Sequence, residues 1–431
     1  MAGITSQTNQ ARVTRRFPAS CVVHSPSLGG VRVTAGQGEL IRTLGDCPGP
    51  LLVIEDGREF RAITWAPWNP HIGRTKPDIL LDEDGWQVTF PVGAIPRDYP
   101  SASSLEEAVA HYNHERPAKL TPGSATLARV RRSITLDLWS QTRRIAHNFA
   151  DACRLLDELE RRSLAEGTLL YLPGFHAPYD ARMPAWEPAA ELGGRAGFRE
   201  LVDRSKVVGA IVMPHTNFWG YDPTTGLLEH WEEAWSGGQW GIGRVIKYMD
   251  LDHPRWIALF DSYFDRTVEE FGLECIFLDQ CGNAFDHQAC PEMGPTVDLV
   301  AGTRHLLKRI HGKFPDLLLG AEVLSEQIVD QVSLFQSQWV VEEMVGNFSP
   351  IVHLMFAGRV RLVPHLFLTA AVPCRYIYPH IHTTLIVEHG LEKAFRWYQE
   401  YNREIDGIPS VRLDYNRHGI DSASLRVLDE A

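Results

Sequence analysis

Two hydrophobic rhythms divide the chain. Before about residue 100 the apolar residues come in short runs, Gly30-Val-Arg-Val-Thr34, Leu51-Leu-Val-Ile54 and Trp86-Gln-Val-Thr-Phe90, each bounded by glycine, proline or aspartate turns. That pattern predicts a small β-rich region. Ser104 to Glu115 then follows a helical period behind a serine suited to capping, and Pro117 to Gly123 reads as a linker, so the first region is expected to span 1–125.

Beyond residue 130 the rhythm changes to short apolar strands alternating with amphipathic helices, the pattern of a parallel sheet wrapped by crossover helices. Strands are expected at Ile134–Trp139, Thr168–Pro173, Val208–Pro214, Glu274–Asp279, Leu317–Glu322, Gln338–Glu342, Arg375–Pro379 and Ser410–Tyr415. The clearest helices are Phe149–Ser163, Gly197–Val208, Trp256–Phe271, Val297–Phe314 and Leu391–Ile405. Eight such strands close a barrel, and no glycine-rich phosphate fingerprint follows the first strand. The expected fold class is therefore α/β, a (β/α)₈ TIM barrel over 126–431 preceded by the β-rich region. An open doubly wound sheet is the competing arrangement.

Composition narrows the partners. With 44% hydrophobic and 22% charged residues the 431-residue chain has material for a large core. A net charge of -12, from 54 acidic against 42 basic residues, argues against a nucleic-acid partner. Only 7 of the basic residues are lysines and none closes a predicted strand, which disfavours Schiff-base chemistry. The seven cysteines, scattered from Cys21 to Cys374, do not form a paired disulfide framework and are expected to be mostly reduced. The first twenty residues lack an apolar run and no stretch reaches the roughly 20 apolar residues of a membrane span, so a cytoplasmic protein without membrane association is expected. Oligomeric state is not legible.

In barrels the active site lies at the C-terminal ends of the strands, which directs attention to the polar residues that close each apolar run. Asp279 follows Cys275-Ile-Phe-Leu278, and Glu322 follows Leu317-Leu-Leu-Gly-Ala321 on the next expected strand. Adjacent strands lie about 4.8 Å apart, so two such carboxylates can approach the roughly 5 to 5.5 Å separation of a retaining glycosidase. One would attack the anomeric carbon and the other would protonate the leaving oxygen. Around them the strand ends offer Asp137, Trp139, His215, Asn217, Trp219, Gln280, Glu342, Glu343, Tyr378, His380 and His382 as substrate-binding groups. Further aromatic residues at the expected strand ends, among them Tyr171, Phe175, Tyr179, Tyr221 and Tyr376, suit a carbohydrate groove, because rings pack on the C–H faces of pyranoses.

A family resemblance rests on Thr168-Leu-Leu-Tyr-Leu-Pro-Gly-Phe-His176 with Tyr179-Asp180, Gly193-Gly194, Val212-Met-Pro-His-Thr-Asn-Phe-Trp219, Phe277-Leu-Asp-Gln280 and Gly320-Ala-Glu322. These runs, spread over about residues 100–415, resemble a bacterial barrel family and, more distantly, the endo-α-N-acetylgalactosaminidases. The resemblance implies a retaining α-glycosidase in which Asp279, on strand four, is the nucleophile and Glu322, on strand five, is the acid/base. Those enzymes carry long C-terminal β domains that have no counterpart after residue 415 here, which points to a small glycoside or oligosaccharide as substrate.

Two rival readings come from other residues. His380-Ile-His382 could place two imidazoles on one ion, with His215 nearby, in a metal-dependent hydrolase. Such a pair normally sits on the first strand, where this chain has Asp137-Leu-Trp139, so neither a metal nor another cofactor is expected. Cys275, Cys281, His287 and Cys290 lack the paired spacing of a structural zinc site. A non-catalytic carbohydrate-binding barrel is the second rival, and the presence of both carboxylates argues against it.

Overall fold

A computed structural model describes residues 12–26, 30–35, 49–66, 77–91, 93–116, 122–139, 143–178, 181–240, 245–281, 297–322, 324–337, 349–356, 359–364, 366–367, 396, 403, 408 and 410–413. Contacts group into two compact units, one of Met1–Pro117 with Asn347–Met355, the other of Ala118–Gly346 with Phe356–Ala431.

In the first unit β1 (Thr14–Phe17), β2 (Val22–Ser25), β3 (Val31–Val33), β4 (Leu51–Asp56), β5 (Glu59–Ala66), β6 (Asp78–Asp82), β7 (Gly85–Thr89) and β8 (Ile95–Asp98) pair antiparallel. They form two sheets, ordered β1-β7-β6 and β3-β2-β4-β5-β8. The helix Leu105–His114 starts as its sequence predicts, with the Ser104 hydroxyl accepting from the Glu107 N–H at 3.2 Å. The first region, read from sequence as unbroken to 125, instead ends at Pro117 and takes in Asn347–Met355. Ser349 N–H donates to Gly30 O at 3.2 Å, and the Leu354 carbonyl accepts from Asn113 at 2.8 Å. Gly30 has φ +111°, and a Cβ there would lie 2.2 Å from Ser349 O, so only glycine admits this approach.

The second unit is a mixed α/β structure around a parallel sheet. Its strands are β9 (Arg132–Leu136), β10 (Thr168–Leu172), β11 (Ile211–Asn217), β15 (Cys275–Asp279), β16 (Leu318–Glu322), β17 (Leu334–Ser337), β18 (Arg361–Pro364), β19 (Leu366–Phe367) and β20 (Ser410–Leu413). An insertion after β11 forms a separate antiparallel sheet of β12 (Gly220–Tyr221), β13 (Trp235–Trp240) and β14 (Ile246–Met249). The parallel order is β18-β17-β16-β15-β11-β10-β9-β20-β19, within which β9, β10, β11, β15, β16 and β17 make a half-barrel. Crossover helices Phe149–Arg161, Gly194–Val208, Pro254–Phe271 and Leu299–Lys313 connect successive strands from β9 to β16. The first is nucleated by a reciprocal capping box, Asn148 accepting from Asp151 N–H at 2.9 Å while Asp151 accepts from Asn148 N–H at 2.8 Å.

Alternation along the strands sets one face against a buried cluster of Val130, Leu169, Tyr171, Ile211, Met213, Cys275, Phe277, Leu318, Leu334 and Ile408. Gly320 belongs to this face too, and a side chain there would press on Phe277 at 3.0 Å and Met213 at 3.1 Å. The missing side chain is what lets the Phe277 ring occupy the centre.

Strands one, two, four, five and eight fall where the pattern puts them, within three residues at each end. The third differs. Residue Val208 ends a helix capped by Gly209 at φ +75°, so the third strand starts at Ile211 and runs on through Asn217. Next to Leu318–Glu322 the sheet continues with Leu334–Ser337 and then Arg361–Pro364, while the expected Gln338–Glu342 and Arg375–Pro379 lie outside the described residues. The runs 338–348 and 368–395 lie outside the described residues.

Leu334, 1% exposed within the cluster, and Val207, 74% exposed on its helix, give a direct test of this packing. Leu334→Ala should lower the unfolding free energy by about 2 to 5 kcal/mol, against a change within about 0.5 kcal/mol for Val207→Ala, in urea titrations.

Candidate active site

Strand register builds the site. Asn217 pairs with Asp279 across β11 and β15, and Glu322 pairs with Gln336 across β16 and β17. Cys275 pairs with Leu318 and Leu278 with Ala321, so the same register carried one residue further sets Asp279 level with Glu322. Asn217, Asp279, Glu322 and Gln336 thus form one polar row over four adjacent strands. Each lies an even number of residues beyond a cluster member on its own strand, Met213, Phe277, Leu318 and Leu334 respectively, so all four face the buried side. One tier below lie His215, Phe277, Gly320 and Leu334.

Hydrogen bonds tie the row together. The Asn217 amide reaches Asp279 Oδ2 at 3.5 Å and donates to Gln280 Oε1 at 3.2 Å. Asn217 Oδ1 accepts from the backbone N–H groups of Trp219 at 3.2 Å and Gly220 at 2.8 Å, which starts the insertion. Trp219 donates its indole N–H to the same Gln280 oxygen at 3.2 Å. Gln280 itself has φ +58°, a left-handed conformation uncommon outside glycine and asparagine, and its backbone N–H turns onto Glu322 Oε2 at 3.2 Å. The bend after Asp279 therefore supplies a donor to the second carboxylate.

Behind Asp279, His215 Nε2 stands 3.8 Å from Oδ2. Its Nδ1 is 2.6 Å from the hydroxyl of Tyr171 on β10, and its ring stacks on Phe277 at 5.7 Å and 23°. Such a group of titratable side chains above an apolar floor can hold one negative charge at a fixed point and pass a proton nearby.

The structure brings Asp279, Glu322, His215, Asn217 and Gln280 together. Asp137 is buried directly after β9, on the face shared by Ser133 and Thr135, and its carbonyl accepts from His147 Nδ1 at 2.7 Å. Trp219 and Trp139 are buried, unlike open sugar platforms. Trp219 is sandwiched by Phe218 at 5.5 Å and Tyr248 at 4.0 Å, and Trp139 donates its indole N–H to Gly174 O at 2.8 Å. Glu342, Glu343, Tyr378, His380 and His382 lie outside the described residues. Sequence reasoning missed Gln336 altogether and took Tyr171 only as a groove aromatic. The signal available for both was their place in a two-residue alternation with buried neighbours.

Among the described residues no group of three or more histidine, cysteine, aspartate or glutamate side chains is arranged to hold a metal ion. Cys275 and Cys281 are free buried thiols whose ionisation burial pushes well up, while His287 and Cys290 lie outside the described residues. No helix among the described residues is long and apolar enough to cross a membrane.

No family model and no curated protein matches the chain by sequence. Solved structures do match by shape. The α-N-acetylgalactosaminidase NagBb of Bifidobacterium bifidum in complex with GalNAc superposes with TM-score 0.62 at 13% identity, covering 83% of this chain and 67% of that one. The α-galactosidase TtGalA of Thermus thermophilus, with p-nitrophenyl α-D-galactopyranoside, gives TM-score 0.57 at 13% identity over 97% and 87%. The Flavobacterium johnsoniae GH31 dextranase FjDex31A, complexed with isomaltotriose, gives 0.62 at 9% over 97% and 53%. This chain has a glycosidase-like fold. The likeness is one of architecture, since identity is far too low to carry residues across.

Past the end of β10, His176 is fully enclosed, donating from Nε2 to Ala181 O at 3.2 Å. Burial, reinforced by the Arg182 charge, pushes its pKa down to about 4. An unfolded histidine titrates near 6.5, so between those values the unfolded chain binds a proton that the native one refuses. Stability should therefore fall as pH drops from about 6.5 toward 4, and this group should contribute no slope above that window. His176→Gln should flatten the curve, the difference between wild type and variant changing by on the order of 3 kcal/mol across the window in urea midpoints.

Proposed function

We propose that the chain is a retaining glycoside hydrolase that cleaves the α-glycosidic bond of a small glycoside or oligosaccharide. The observation that carries this reading is the level placement of Asp279 and Glu322 on neighbouring parallel strands, joined through the Gln280 N–H. The glycosidase-like fold supports it.

In this reading Asp279 attacks the anomeric carbon while Glu322 delivers its proton to the departing oxygen, leaving a glycosyl ester on Asp279. Glu322, now a carboxylate, takes a proton from water as that water displaces the ester, which restores both groups. Asn217 and Gln280 hold the pair in register, and Asp137 is assigned to the hydroxyls of the bound sugar. Trp219 serves as a buried strut for Gln280. The carboxylates supply both nucleophile and proton donor, so the mechanism calls for no Lewis acid.

We also read the sheet as a closed (β/α)₈ barrel. The two strands at opposite ends of its order, β18 and β19, are separated in the chain by a single residue between Pro364 and Leu366. That closeness in sequence is what supports joining the two edges. The separate β-rich unit is read as an accessory domain.

Aryl α- and β-glycosides differing in leaving-group acidity test the reading. Asp279→Asn should lower turnover of every substrate by roughly 10⁴-fold. Glu322→Gln should cost roughly 10² to 10⁴-fold on poor leaving groups and spare dinitrophenyl glycosides. Equal losses on both classes would remove the assigned roles. Dialysis against a strong chelator should leave activity unchanged, and metal-restorable loss would favour the hydrolase built on His380 and His382.

A further inference from the structure

We infer that Tyr171 is a positioning residue, its hydroxyl holding His215 in the tautomer that turns an N–H toward Asp279. This rests on the proposed role of Asp279. The hydrogen bond between Tyr171 Oη and His215 Nδ1 is short, 2.6 Å, and lies above the buried cluster to which Tyr171 belongs. A neutral imidazole carries one N–H, so two arrangements exist. With the phenol donating to Nδ1, the proton sits on Nε2, 3.8 Å from Asp279 Oδ2. With Nδ1–H donating to the phenol oxygen, a lone pair on Nε2 faces a carboxylate. The second arrangement is repulsive whenever Asp279 is ionised, and the first is attractive.

Packing holds the imidazole in this orientation and leaves the choice of tautomer to the groups at its two nitrogens. Its ring lies on Phe277, and Tyr171 touches the same Phe277 ring with centroids 4.7 Å apart, so the three side chains form one block. At 3.8 Å the Nε2–H acts on Asp279 as an oriented dipole rather than through a full hydrogen bond. That suits a nucleophile, whose negative charge is stabilised here without a short hydrogen bond from the imidazole.

The test uses the full chain labelled with ¹⁵N-histidine, with His215→Gln to assign the signals. Long-range ¹⁵N–¹H spectra at neutral pH should place the His215 proton on Nε2 in the wild type, and Tyr171→Phe should convert this to a mixture of tautomers. With the best aryl α-glycoside, Tyr171→Phe should lower kcat by about tenfold and move KM by less than about twofold. His215→Gln, which keeps an N–H donor, should retain more activity than His215→Leu. A proton on Nδ1, a spectrum unmoved by Tyr171→Phe, or an effect confined to KM would overturn the proposal. If Tyr171→Phe does not fold, the wild-type tautomer and the His215 pair still decide it. Absence of glycoside turnover in the wild type would instead overturn the enzymatic reading, leaving the tautomer measurement valid in its own right.

Discussion

The Gln280 backbone N–H, 3.2 Å from Glu322 Oε2, joins the two strands that carry the carboxylates, and the contacts of Asn217 and Trp219 support it. For the N–H to point there, the chain must leave β15 in a left-handed turn, which for a glutamine costs of order 1 kcal/mol or more. The cost is offset by two donors on the Gln280 side-chain oxygen, from Asn217 and Trp219. Trp219 is in turn immobilised by ring stacking on Tyr248 of the inserted sheet. A bend of one residue thereby depends on an insertion of three strands, and the insertion begins at Asn217, inside the site itself.

Burial explains why the polar row gives way, beneath His215, to an apolar face. Below it the same faces of β10, β11, β15 and β16 carry Tyr171, Met213, Phe277 and Leu318, where an unpaired charge would lose its hydration without compensation. Charge is admitted at the strand ends, where neighbouring amides and an imidazole stand in for water. In the proposed reaction this arrangement would keep Asp279 and Glu322 apart in role while holding them at one level.

Much of this was readable in the sequence because the strands that matter are the most regular. Cys275–Asp279 and Leu318–Glu322 are apolar runs each ending in one acid, and period-two alternation with a parallel register then determines which side chains meet. The third strand misled at its start because Val208 continues a helix whose glycine cap, Gly209, is followed by an equally apolar run. Between β16 and β20 the strands that join the sheet escaped the pattern for a different reason. Leu334–Ser337 is only four residues long, and its neighbour begins at Arg361, whose Nε is buried, so neither segment carries the apolar signal that a buried strand should. Asn347–Met355 joins the first unit through backbone and side-chain hydrogen bonds, Gly30 with Ser349 and Asn113 with Leu354, which no hydrophobic pattern encodes. Buried tryptophans such as Trp219 were read as sugar platforms because sequence cannot tell an exposed ring from a stacked one.

Chemical trapping tests the central claim most directly. The full chain would be treated with a 5-fluoro-α-glycosyl fluoride of whichever sugar gives the best aryl glycoside, then digested and sequenced by mass spectrometry. The account predicts one fluoroglycosyl adduct, on Asp279, that is absent from Asp279→Asn and turns over slowly in the wild type. An adduct on Glu322 or elsewhere, or turnover with inversion and no adduct at all, would contradict it.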